Sequence, residues 1–153
     1  AKVNGEIVTT ILVDIDGLVE SGYNNKAIGD SDEAATYLTQ LTSALNGLIY
    51  KIEVACIEAP TTGNADINLY ANTSSLTEGA SVTSGGALLL DAAGAWTLGR
   101  RIEVPASGSA IGSVAVTSAA SQYLYLSTGA MSDSSDHEYG AGKFIIKIYG
   151  TAI

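Results

Sequence analysis

Hydrophobic and polar positions alternate with period two in the most regular stretches of the chain, and that period predicts strands. Ile7–Ile15 is rich in β-branched residues and ends at Asp16-Gly17, a turn signal. Leu48–Glu58 alternates so that Leu48, Tyr50, Ile52, Val54 and Cys56 share one face. Its other face holds Lys51 and Glu53 beside Ala55 and Ile57. Lys143–Tyr149 places Phe144, Ile146 and Ile148 on one side and Lys143, Ile145, Lys147 and Tyr149 on the other. Shorter strands are expected at Asp66–Ala71 (Ile67 and Leu69 inward), Ala87–Leu90, Trp96–Leu98, Arg101–Val104, Ile111–Thr117 and Tyr123–Leu126. Glu20–Asp30, Asn72–Gly86 and Ser127–Gly142 read as polar loops, and Pro60 to Asn64 as a turn.

Residues 31–47 carry two conflicting signals. Ser31 as N-cap, Asp32 and Glu33 in a first turn, and Ala34, Tyr37, Leu38, Leu41 and Leu45 at helical spacing predict a helix stopped by Gly47. Thr36–Thr42 has strand propensity, and Asn46-Gly47 is a hairpin signal. Either way, at most one short helix near 31–46 interrupts the strands. Many short strands separated by Gly-rich turns, without strand–helix alternation, describe a mainly β chain: a single-domain antiparallel β-sandwich, jelly-roll-like, over residues 1–153. Residues 1–47 are the part that could act as an N-terminal arm or edge element. Ile52, Val54, Cys56, Leu124, Leu126, Phe144, Ile146 and Ile148 are the expected core.

Composition and charge narrow the function. With 153 residues the chain has room for one ordinary domain. No apolar run is long enough to span a bilayer, and the opening Ala-Lys-Val-Asn has no apolar leader core. Sixteen acids against seven bases leave a net charge of −9, which disfavours nucleic acid as a partner. The acidity falls along the chain, from −5 over residues 1–50 to −1 over residues 101–153.

Candidate chemistry is sparse. Asp14-Ile-Asp16-Gly17 opens like a calcium loop but lacks the later ligands, so a strand-end turn is expected. Asp133, Asp136, His137 and Glu138 share one loop without a second His or a Cys, and read as a solvated loop rather than a metal site. Cys56, in an apolar run, reads as a buried small side chain. Gly140-Ala-Gly142 and Gly108–Gly112 lack the residues of a phosphate cradle, Asn72-Thr-Ser is a bare glycosylation match, and no nucleophile elbow is present. The expectation is a protein without catalytic residues, cofactor or metal. Trp96 followed by Arg100-Arg101 is the candidate interface, because Trp and Arg are enriched where partners bind.

Several phrases carry a resemblance. They are Cys56-Ile-Glu-Ala-Pro60 leading into Asp66-Ile-Asn-Leu-Tyr70, then Tyr123-Leu-Tyr-Leu126, then the ending Ala141-Gly-Lys-Phe-Ile-Ile-Lys-Ile-Tyr-Gly150. Over roughly residues 48–150 the chain resembles small virion proteins of marine and cyanobacterial tailed phages, encoded among head genes. The resemblance implies a capsid decoration (cement) protein on the outer surface of the head. Its partner would be the major capsid protein, and the chain would act as a small homo-oligomer, with a trimer favoured. The alternative expectation is a tail or fibre-associated virion protein with a glycan-binding role, to which Tyr139 near Asp133–Glu138 could contribute an aromatic surface.

Overall fold

Ten strands and one helical turn carry the chain in a computed structural model that describes residues 5–105, 122–131 and 134–152. They run as β1 (Glu6–Asp14), β2 (Val19–Glu20), β3 (Thr39–Leu41), α1 (Ser43–Asn46), β4 (Leu48–Thr61) and β5 (Ile67–Asn72). Then come β6 (Gly86–Leu90), β7 (Arg101–Pro105), β8 (Gln122–Thr128), β9 (His137–Glu138) and β10 (Ala141–Thr151). The expected strand at Ile111–Thr117, the Gly108–Gly112 turn and Asp133 lie outside the described residues.

Eight of these strands form two antiparallel four-stranded sheets, ordered β1-β10-β4-β7 and β3-β8-β5-β6, and β2 pairs with β9 as a separate ribbon. Counting only the eight sheet strands in chain order, the first pairs with the eighth, the second with the seventh, the third with the sixth and the fourth with the fifth. That nesting is the jelly-roll order, in which a long folded ribbon rolls into a two-sheet sandwich.

The inner faces of both sheets supply one core. Val13, Ile52, Val54, Cys56, Phe144, Ile146 and Ile148 come from the first sheet, and Leu41, Ile67, Leu69, Leu90, Leu124 and Leu126 from the second. All eight residues expected in the core are buried. Burying each of the larger aliphatic or aromatic side chains contributes roughly 1.5–3 kcal/mol.

The alternation on β4 breaks at its start. Ile49 is buried, whereas Leu48 and Tyr50, expected on the core face, are exposed. A bulge explains the shift: Lys51 faces Tyr149 and Ile49 faces Gly150, so Tyr50 is one extra residue on β4.

In residues 31–47 each competing signal is partly realised. Thr39–Leu41 forms a strand against β8, and no long helix starts at Ser31. The helix is a single turn capped by Thr42, whose Oγ1 accepts the Leu45 N–H, and Gly47 closes it with a φ of 64° that favours glycine. Asn46-Gly47 therefore ends a helix rather than turning a hairpin. Trp96–Leu98 is also not a strand: the Arg100 N–H bonds the Thr97 carbonyl in a turn.

Strand β5 departs from simple alternation as well. All six residues from Ile67 to Asn72 are buried. Loops cover its outer side, where Ala27, Val82, Tyr70 and Tyr125 form a second apolar cluster. Hydrogen bonds pin these loops down. Tyr125 donates to the Ser74 carbonyl and accepts the Leu76 N–H, both at 2.8 Å. Asn72 Nδ2 donates to the Val82 and Ser84 carbonyls.

Candidate functional site

The outer face of the first sheet is bare among the described residues, and its side chains follow from strand register. Cross-strand rows run Val8–Tyr149–Lys51, Thr10–Lys147–Glu53–Glu103, Leu12–Ile145–Ala55–Arg101 and Asp14–Lys143–Glu58. Strands lie about 4.8 Å apart, so each row is a continuous strip of side chains. Leu12, at 68% exposure, anchors an apolar strip with Ile145 and Ala55, and Val8 and Ile57 are also exposed.

Most charge on this face is paired internally. Arg101 Nη2 donates to Glu53 Oε2 at 2.8 Å and Glu103 Oε2 at 2.6 Å. Lys143 Nζ sits 2.6 Å from Glu58 and 3.5 Å from Asp14. Lys51 lies 3.9 Å over the Tyr149 ring and 3.7 Å from Glu103. The Arg101 hydrogen bond holds the Glu53 carboxyl below the usual range, and Glu58 raises the Lys143 amine. Tyr50 donates to Glu6 at the rim, which pushes its phenol up.

Four of the seven basic residues, Lys51, Arg101, Lys143 and Lys147, therefore lie on this face. Against the five acids Glu6, Asp14, Glu53, Glu58 and Glu103 they leave a net charge of −1, whereas the rest of the chain carries −8. This surface can approach another protein with less electrostatic repulsion than the acidic remainder of the chain would meet from an acidic partner.

The three candidate interface residues separate. Trp96 is a core residue: it is 2% exposed, its Nε1 donates to the Ile67 carbonyl at 2.8 Å, and its ring meets Phe144 edge-on at 5.5 Å. Arg100 lies 5.2 Å from that ring and donates to the carbonyls of Ala92, Gly94 and Ala95, so it clamps the 92–95 turn. Arg101 alone stands on the outer face. The residues that accompany it there were visible as apolar side chains on the polar side of alternating strands: Ala55 and Ile57 beside Glu53, Ile145 beside Lys147.

Other candidates take structural places. Asp14 Oδ1 accepts the Asp16 N–H and Gly17 turns with a φ of 80°. Asp136 accepts the Gly22 N–H, and His137 Nδ1 lies 3.5 Å from Glu20 Oε1. Tyr139, expected near a glycan surface, is 1% exposed, with its hydroxyl 2.8 Å from both Glu20 Oε2 and the Asn64 carbonyl. Burial, followed by the Glu20 carboxylate, pushes that phenol far up. Cys56 is buried, and burial raises its thiol. Comparison of the chain with protein-family models, curated proteins and solved structures finds no match.

Proposed function

We propose that this chain is a structural virion protein that decorates a phage capsid and stabilises it by bridging neighbouring capsid subunits. The observation that carries the reading is the outer face of the first sheet, bare among the described residues, crossed by an apolar strip and nearly neutral in an otherwise strongly acidic molecule. Docked through that face, the protein holds the shell from outside and turns its acidic surface to solvent.

The energetics favour such an arrangement. A ligand that binds only the assembled lattice opposes subunit separation by mass action. Acting as a small homo-oligomer, a trimer in our reading, it would engage several subunits at once, so each contact can be individually weak. Because the face pairs its own charges, its hold on the shell rests on the Leu12–Ile145–Ala55 strip and is insensitive to salt.

Heating phage heads with and without this protein tests the role. Decorated heads should retain DNA to a higher temperature than stripped ones. Equal release temperatures would remove the cementing role in favour of a tail or fibre location.

A further inference from the structure

A polar cleft of about 450 Å³ opens at the end of the second sheet, away from the docking face. Its walls come from the loop after β2 (Asn24, Asn25), Asp66 just before β5, Asn68 in β5 and the loop after β6 (Asp91). We propose that this cleft binds a neutral carbohydrate through paired hydroxyl groups.

The hydrogen-bonding state of the walls identifies the ligand. Asn24 Oδ1 accepts the Met131 N–H, Asn25 Oδ1 accepts the Tyr70 hydroxyl, and Asn68 Oδ1 accepts the Ala92 N–H. Three amide oxygens are thus occupied, and three NH2 groups remain without partners among the described residues. Asn68 is 7% exposed, with its Oδ1 taken up by the loop backbone. Asp66 is the telling residue: Oδ2 takes the Ala130 N–H, while the buried Oδ1 has no donor. A buried polar group without a partner is costly unless a ligand or water satisfies it.

A cation would find the two carboxylates of Asp66 and Asp91 set among NH2 donors, with no third acid, His or Cys grouped with them among the described residues, and an anion would be repelled by the same carboxylates. A sugar hydroxyl both donates and accepts, so vicinal hydroxyls match a wall of mixed amides and carboxylates. The cleft has the volume of a small-molecule site. Two of its residues, Asn25 at a φ of 58° and Ala93 at 49°, hold left-handed backbone, the kind of local strain found where a fold presents a binding surface. The proposal is independent of the docking face, so either can fail alone.

The test is an NMR titration of isotope-labelled protein with glucose, galactose and mannose, each in turn, with EDTA present, following the side-chain amides of Asn24, Asn25 and Asn68. At least one sugar should shift these amides saturably, with a dissociation constant on the order of a millimolar, as befits an open site. Ala130→Trp, a substitution at the exposed rim, should abolish the shifts while leaving the melting temperature unchanged. Should that variant misfold, Asn24→Ala decides, with an expected several-fold loss of affinity. The proposal is overturned if no sugar moves these amides, if the shifts appear only with added calcium, or if they survive in the folded rim variant.

Discussion

The two sheets of the sandwich share one core but treat their outer faces in opposite ways. The second sheet is roofed by its own loops, with Ala27, Val82, Tyr70 and Tyr125 sealed beneath them. The first sheet leaves Val8, Leu12 and Ile57 open to solvent among paired charges. Among the described residues, loops cover one sheet and leave the other open. An uncovered sheet face with apolar rows is the surface a partner would cover, which is why the docking reading rests there.

The largest effect should come from what the sheets have in common. Phe144→Ala removes the ring that packs edge-on against Trp96 in the shared core, and should cost about 3–5 kcal/mol in denaturant unfolding. A loss below about 1 kcal/mol would mean that this core does not couple the sheets.

Next comes the roof. Tyr125→Phe strips the Leu76 N–H and the Ser74 carbonyl of their partner, and should cost about 1–3 kcal/mol. It should also speed hydrogen exchange across residues 73–85 more than in β1 or β10. Uniform acceleration would show that the loops are not a separate cover.

The bare face should tolerate change far better. Leu12→Thr keeps a strand-forming residue at an exposed site and should alter stability by no more than about 0.5 kcal/mol. A core-sized loss would mean that Leu12 already has a partner within the chain.

The smallest effect is in the acid limb. Glu53 has its folded pKa depressed by Arg101, so its contribution is present above the unfolded carboxylate pKa and fades as pH falls through the lower folded value. Arg101→Gln should lower stability only slightly near neutrality and flatten the fall in stability on acidification. An unchanged acid limb would show that the pair carries no net stabilisation.

What could be read from sequence was local. β-branched content places β1, and period-two alternation places β4, β8 and β10 with the core residues they bury from Ile52 onward, because a side chain's face depends only on its parity along a strand. Pairing was hidden, since nothing in the alternation of β1 says that Ile11 will face Ile146. The Tyr50 bulge was hidden too: Leu48, Tyr50 and Ile52 look equally apolar whether or not the register slips between them. In β5, Asn68 reads as an outward polar position and Asn72 as the start of a polar loop, but both are buried, holding loop backbone through their side-chain amides. Trp96 and Arg100 looked like surface anchors because composition carries no burial. The turn between them folds back, so that the indole enters the core and the guanidinium satisfies carbonyls of residues 92–95. The docking face was partly legible as apolar residues on the polar side of alternating strands, but only the pairing assembled them into rows.

Rebinding to phage heads stripped of this protein tests the central claim most directly. Wild-type protein and the double variant Leu12→Lys/Ile145→Lys, each checked for an unaltered fold, would be mixed with stripped heads and the bound fraction measured by co-sedimentation at low and high salt. The account predicts that wild type rebinds at both salt concentrations and that the double variant does not. Rebinding of the double variant at wild-type level would contradict it, because the bare face of the first sheet would then not be what meets the shell.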